Sequence, residues 1–375
     1  MNTSAQPATP TAYKEGPPDG RPVLIGALAP LAPPGWAEAG RHLLAGLELA
    51  VADVNAAGGI AGRPLELVVR DTAADPGRAE AAVTELAELG VAALAGEYHS
   101  VVARAAAARA DALGLPFLCS SAVLDALTDR PTELVARLAP AQSHGWRTYA
   151  DHLLGAGHSR IAVATQPSVY WATGTGLLRE RLAPQGGTVT ELDATALAPA
   201  ELCDALAEDG ATALLLLVGH PDPAVPLVRA VRADERLADV LIGAPAGQPE
   251  LPEWERLLGA DGAGIPFLRY LPERLGPLGE RVGTDLRERL GQEPSFVGHE
   301  GYDTITVLAG LLRAHGTDRA RIAASWPDVE VEGTRGPIRF SRVPGTGVWQ
   351  WAWPPVQVAD RDPAAPDRFR VLRTG

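Results

Sequence analysis

Residues Val54–Asp71 read VNAAGGIAGRPLELVVRD. Just upstream, Leu43, Leu47, Val51 and Val54 fall on one face, so Gly40–Asn55 is expected to be an amphipathic helix. Gly58 and Gly59 stop it, because glycine reaches the positive φ that a helix-ending turn requires. Pro64 sets an extended start, and Leu65–Arg70 is an apolar run of strand length. The rhythm continues outward in both directions. Before it, Val23–Ala27 is a short apolar run closed by Pro30 and Pro33, as expected of a buried parallel strand. After it come a helix at Pro76–Leu89, a strand at Val91–Ala95, a helix at Val101–Leu113 and a strand at Phe117–Cys119. Strand and helix alternating through short loops imply a parallel sheet covered on both faces.

The pattern restarts past residue 140. Strands are expected at Arg160–Ala164, Thr188–Glu191, Ala213–Val218 and Val240–Gly243. Helices are expected at about Ser143–Gly155, Tyr170–Leu182, Pro199–Glu208 and Pro223–Ala233. Gly276–Leu290 and Phe296–His315 read as further helices, and the chain from Pro337 onward as strands with Pro/Gly turns that have no obvious sheet of their own and complete one or both lobes. Trp349, Trp351 and Trp353 alternate with period two and read as packing on one strand face.

Composition narrows the function. The chain has 375 residues, 46% hydrophobic and 21% charged, which is ordinary for a globular protein of two or three domains. A net charge of −13 argues against nucleic acid or an anionic membrane as partner. Lys14 is the only lysine and sits in a polar stretch, which excludes a P-loop or Schiff-base chemistry in the folded body. Cys119 and Cys203 form no CxxC pair, so no disulfide framework or zinc site is expected, and no other metal or cofactor motif stands out. Residues 1–22 are rich in Pro, Gly, Ser and Thr and contain no apolar core of a signal peptide. They read as a disordered tail, which places the chain as written in the cytoplasm. A misassigned start or a trimmed leader would make it extracytoplasmic.

The first 125 residues resemble the leucine/isoleucine/valine-type solute-binding proteins of ABC transporters, which have the type I periplasmic binding fold. The resemblance is carried by IGALAPL at Ile25–Leu31, by Val54–Asp71, by ADP at Ala74–Pro76 and by AGEYHS at Ala95–Ser100. It continues more weakly to GPIRF at Gly336–Phe340. It implies an α/β fold of two doubly wound parallel-sheet lobes joined by three crossover segments, with a ligand cleft between them. Crossings are expected near Ala139–Gln142, Pro266–Tyr270 and Phe340–Arg342. Residues 23–139 with 268–340 would then form the first lobe, and 140–267 with 341–375 the second.

Ligands of open α/β sheets bind beyond the carboxyl ends of the strands, so four loops supply candidate residues. In the first, Trp36 either caps a ligand or packs on neighbouring prolines. In the second, Ser100 opens a helix, where its hydroxyl and the unpaired amides behind it suit an oxygen of the ligand. The resemblance places the family's carboxylate-binding serine on Ser100. Tyr98 is similar to the Gly-x-Tyr-x-Ser pattern of a cytoplasmic amide sensor of the same superfamily. The third loop offers Ser120, Ser121 and Val123, where amino-acid binders present a carbonyl and a Thr hydroxyl to the ligand's amine. Ser121 keeps the carbonyl, but Val123 has no hydroxyl. In the fourth, Tyr170 aligns with the family's cleft tyrosine, beside Trp171; His220, at the end of Ala213–Val218, is a weaker candidate.

One departure bears on the ligand. Amino-acid members of the family carry an acid in the loop after the strand corresponding to Val240–Gly243, whereas here Ala244–Gln248 is uncharged. A buried ammonium without a partner costs several kcal/mol, so an amide, an aromatic or an amine-free carboxylate fits at least as well as an α-amino acid. Glu97 and Glu300 are the conceivable substitutes.

An enzyme is not expected. Gly174-Thr-Gly176 lacks the third glycine of a dinucleotide loop, and no Gly-x-Ser-x-Gly elbow occurs. The expected function is the receptor of an ABC importer, which closes on a small polar ligand and delivers it to a permease. The alternative is a cytoplasmic sensor of an amide or other small ligand, acting on a regulatory protein.

Overall fold

The computed structural model describes residues 20–33 and 35–375. Of the tail read at 1–22, residues 1–19 lie outside the described residues.

The Val54–Asp71 stretch folds as a helix stop followed by a strand. The first strand, β1 (Val23–Ala29), leads into α1 (Ala37–Ala56), and β2 (Leu65–Asp71) follows. Asn55 ties helix to strand: its Nδ2 donates to the Leu65 carbonyl, and its Oδ1 accepts from the Leu65 amide. Gly59 has φ 71°, and a Cβ there would stand 2.1 Å from the Arg63 carbonyl oxygen, so only glycine fits the turn.

The chain continues through α2 (Pro76–Glu88), β3 (Ala93–Gly96), α3 (Ser100–Ala112), β4 (Phe117–Cys119) and β5 (Val135–Arg137). It then enters a second unit: α4 (Gln142–Gly155), β6 (Arg160–Thr165), α5 (Val169–Leu182), β7 (Thr188–Asp193) and α6 (Pro199–Asp209). Next come β8 (Ala213–Leu217), α7 (Ala224–Ala233), β9 (Leu241–Gly243), α8 (Pro252–Leu258) and β10 (Phe267–Arg269). Helices α9 (Pro277–Leu290), α10 (Phe296–His315) and α11 (Arg319–Ala324) return to the first unit. The chain ends in β11 (Val331–Gly333), β12 (Gly336–Ile338), β13 (Phe340–Arg342), β14 (Trp349–Trp351), β15 (Gln357–Asp362) and β16 (Ala365–Thr374).

Two doubly wound lobes result. The first is built on a seven-stranded sheet ordered β13-β14-β5-β4-β3-β1-β2, parallel except for the antiparallel β13–β14 pair. One face buries Leu43 and Leu47 of α1 with Ile305 and Leu308 of α10. The other face buries Val83 and Leu86 of α2 with Ala103 and Ala107 of α3. The second lobe has the parallel sheet β7-β6-β8-β9, with α6 and α7 on one face and Trp146, Tyr149, Leu178 and Leu182 of α4 and α5 on the other. Gly174 sits directly on the Trp146 ring, where a Cβ would approach to 2.3 Å, whereas nothing approaches Gly176; both lie within α5.

Two expectations about the carboxyl-terminal part are corrected. The third crossing lies beyond Trp351, not at Phe340–Arg342, because β13 turns back as a hairpin onto β14, which pairs in parallel with β5. Residues 341–351 therefore sit in the sheet of the first lobe. The last strands also have a sheet of their own: β15 and β16 form an antiparallel sheet with β10. Trp351 is buried and its Nε1 donates to the Pro337 carbonyl, whereas Trp353 lies past the strand and is 74% exposed.

Candidate functional site

Between the lobes lies a cavity of about 530 Å³, lined from both sides by residues just beyond strand carboxyl ends. From the first lobe, Trp36 precedes α1, while Tyr98, His99 and Ser100 follow β3. Ser121 and Val123 follow β4. From the second lobe, Gln166, Tyr170 and Trp171 follow β6, and His220 and Asp222 follow β8. Tyr270, where the chain crosses after β10, and Phe296, at the start of α10, complete the wall.

Aromatic rings dominate it. Trp36 packs on Tyr98 with centroids 5.6 Å apart and meets His99 edge-on at 6.2 Å. Across the cleft, Trp36 also reaches His220 at 6.3 Å, so the lobes touch at this edge. A second cross-cleft contact runs from the Glu253 amide to Glu38 Oε2 at 3.1 Å. On the opposite wall Tyr170 and Trp171 meet at 4.8 Å, and Tyr270 and Phe296 meet at 5.0 Å. Such tilted and edge contacts are the favoured arrangement of aromatic pairs.

Polar groups interleave with the rings, and several are held in place by the fold. Ser100 Oγ accepts from the amides of Val123 and Leu124, both at 3.2 Å. With its lone pairs committed, the hydroxyl has its proton left to donate. Ser100 does not cap its own helix, since the capping position is His99 and no side chain bonds there; its hydroxyl instead pins α3 to the loop after β4. The first-turn amides of α3 have no acceptor within the helix.

The loop carrying Tyr98 is built around Glu97. This carboxylate is fully buried, accepting from the amides of Tyr98 and His99 through Oε1 and from the Thr72 hydroxyl through Oε2. Burial pushes it up to about 7 despite these three donors. His99 Nε2 accepts from the Trp36 amide at 3.4 Å, and burial holds this imidazole at about 4. His220 is likewise held down to about 4 by burial, against the nearby Glu38 charge. Both rings are therefore neutral near pH 7.

Eight of the nine residues singled out in the sequence line the cavity. Ser120 does not: it is buried behind the wall, its amide donating to Gly96. Neither substitute acid reaches the lining. Glu97 is spent on its own loop, and Glu300 pairs with Arg335 at 3.0 Å. The one carboxylate among the lining residues is Asp222, exposed at the rim, and the lining includes no Arg or Lys. Among the described residues no cluster of His, Cys, Asp or Glu suits a metal ion. Sequence reasoning missed Tyr270 and Phe296. The crossing expected near Pro266–Tyr270 was the available pointer, because a segment passing between the lobes must border the cleft.

Comparison with known proteins agrees with this architecture. The profile of the family described as periplasmic binding protein matches residues 22–360. The Leu/Ile/Val-binding protein homolog 8 of Brucella abortus is 35% identical over 133 residues, covering 35% of this chain and 32% of that protein. The Leu/Ile/Val-binding protein of Escherichia coli K12 is 31% identical over 144 residues, 38% of each chain. The aligned stretch thus spans about a third of the length of these curated relatives. Solved structures extend the likeness in fold. A leucine-binding protein from Thermotoga maritima superposes with TM-score 0.80 at 20% identity over 94% of this chain and 98% of that one. An ABC-transporter solute-binding protein from Rhodopseudomonas palustris, solved with benzoate, gives TM-score 0.77 at 18% identity over 94% and 96%.

Proposed function

This chain belongs to the periplasmic binding protein family, and from that premise we propose that it is the receptor of an ABC importer for a small amine-free carboxylate or amide with an apolar, preferably aromatic, body. The observation that carries the reading is the interlobe cavity, whose rings come from both lobes and which Ser100 borders at the start of α3. Ser100 and the first turn of α3 suit a carboxylate or carbonyl oxygen. Trp36, Tyr98, Tyr170 and Trp171 suit the flat body of a ligand. A ligand ammonium would find only the exposed Asp222, with no buried acid to pair with. The benzoate complex of the Rhodopseudomonas relative and the leucine-binding relatives bracket the candidate chemistry.

Ligand binding closes the lobes about the three crossings. Residues 23–139 with 271–351 move as one body, and 142–269 with 357–374 as the other, because β10 pairs with β15. The family's name points to the periplasm as the site of action, and among the described residues no helix is long and apolar enough to cross a membrane.

A thermal-shift screen with benzoate, benzamide, leucine, urea and short peptides tests the reading. A ligand at one hundred times its Kd stabilises by about 2.7 kcal/mol, a readable shift. The expected hits are the aromatic carboxylate or amide, with the shift lost in Tyr170→Ala. A shift with leucine alone, abolished by Asp222→Asn, overturns the ligand class and leaves the receptor role.

A further inference from the structure

The second lobe presents a donor that the ligand reading does not use. Gln166 stands one residue beyond the carboxyl end of β6, lines the cavity and is half-buried. It is tied twice to the chain that leaves β8. Its backbone amide donates to the Leu217 carbonyl at 3.2 Å, and its side-chain Oε1 accepts from the Gly219 amide at 2.8 Å. A backbone amide can only donate, so the oxygen of the side chain must face Gly219 and the NH2 group must point elsewhere. That Nε2 has no acceptor among the described residues.

Two residues on, Ser168 caps α5 and also lines the cavity. Its Oγ accepts from the Tyr170 amide at 3.2 Å, which leaves its proton to donate. The first lobe repeats the arrangement: Ser100, at the start of α3, accepts from two amides and keeps one proton. Helices α3 and α5 approach each other across the cleft to within 8 Å, Cα to Cα. The space between their first turns is therefore bordered by uncommitted donors from both lobes.

Donors facing each other across a cleft suit one kind of group best. A carboxylate has two oxygens and no proton, so it takes a donor from each lobe at once. A primary amide has one oxygen and turns its own NH2 against a donor. An ammonium meets donors alone.

We infer that Gln166 is the residue of the second lobe that selects the ligand. Its Nε2 donates to one oxygen of a carboxylate whose other oxygen takes the Ser100 proton. The ligand then joins the two lobes, and a carboxylate is preferred to the corresponding amide. Both donors are neutral, so the preference needs no buried cation and comes from charge-assisted hydrogen bonds. The inference rests on the receptor reading above and narrows its ligand class to the carboxylate.

The test is the isosteric change Gln166→Glu. One oxygen of the new carboxylate still accepts from the Gly219 amide, so the loop stays anchored. The other oxygen replaces the donor with a charged acceptor. Calorimetry at pH 8 compares benzoate, benzamide and benzylamine, the last present as its ammonium. The wild-type protein should bind benzoate about ten-fold tighter than benzamide, the effect of one hydrogen bond to a charged group. Equal binding of the two overturns the preference. In Gln166→Glu, benzoate should weaken by about a hundred-fold, from the lost donor and the like charge. Benzamide should hold or tighten, because its NH2 gains an acceptor, and binding of benzylammonium should appear. A variant that matches the wild type toward all three probes overturns the inference, since Gln166 then only anchors Gly219. Gln166→Met, uncharged and of similar length, serves if the glutamate variant shows no cooperative urea transition. It should bring benzoate down to the level of benzamide, and a preference that persists overturns the inference. If neither benzoate nor benzamide gives heat with the wild type, yet Gln166→Glu takes up benzylammonium, Gln166 faces the ligand and the proposed ligand class fails.

Discussion

Ser100 accepts from two amides and has only its proton to offer a ligand. Ser100→Ala should therefore weaken binding of a carboxylate probe by about ten-fold or more, since a hydrogen bond to a charged group contributes roughly 1.5–3 kcal/mol. It should also lower stability by about 1 kcal/mol, because the Val123 and Leu124 amides lose their acceptor. Calorimetry and urea unfolding separate the two effects; an unchanged Kd would remove Ser100 from the site. Trp36→Ala breaks the contact with His220 across the cleft and should raise the ligand dissociation rate about ten-fold in stopped flow. An unchanged rate would mean that Trp36 packs only on its own lobe. Much of this wall was legible because Trp36, Ser100 and Tyr170 stand at the starts of helices that follow apolar runs, where a doubly wound sheet puts its ligand. Tyr270 and Phe296 were not, because they border the cleft through a crossing and a helix start, and only the sheet pairings fix where those lie. Ser120 misled for a related reason: the loop after β4 alternates inward and outward, and the sequence does not fix its phase.

At the scale of elements, the contact of α1 with α10 has no slack. A Cβ on Gly46 would stand 1.9 Å from the Gly298 carbonyl oxygen, and one on Gly301 2.4 Å from the Leu43 carbonyl oxygen. The helices meet backbone to backbone, and α10 carries Phe296 to the cavity wall. Gly301→Ala should cost about 3 kcal/mol, at the upper end of overpacking effects, seen as a lowered urea midpoint. A loss below about 0.5 kcal/mol would show that the helices part easily. Both helices were evident from their apolar periodicity, but the partner of α1 was not, since glycines spaced along a helix do not name what they approach. The three-residue strand β5 and the short helices α8 and α11 escaped the sequence reading because each is too short to show a period. The β13–β14 hairpin was misplaced because its partner, β5, had not been recognised.

For the whole molecule, buried titratable groups set the response to pH. Burial holds His42, His99 and His220 at about 4 and His299 at about 3, against 6.5 for a free imidazole. The unfolded chain takes up those protons first, so this stability is present at neutral pH and is lost as pH falls from 6.5 towards 4. Glu97 and Glu300 act in the opposite sense: raised from 4.5 to about 7, they favour the folded state at low pH, and that contribution is lost as pH rises through 7. The histidines outnumber these two carboxyls, so stability should peak near pH 6.5. Urea midpoints at pH 5, 6.5 and 8 check this; a maximum at pH 5 would mean that the buried carboxyls dominate.

The central claim is that the two lobes close on an amine-free ligand held among aromatic rings. The most direct test is calorimetric titration of the protein at pH 6 with benzoate and, separately, with leucine. The account predicts saturable binding of benzoate and no heat from leucine. Tight binding of leucine with none of benzoate would contradict it.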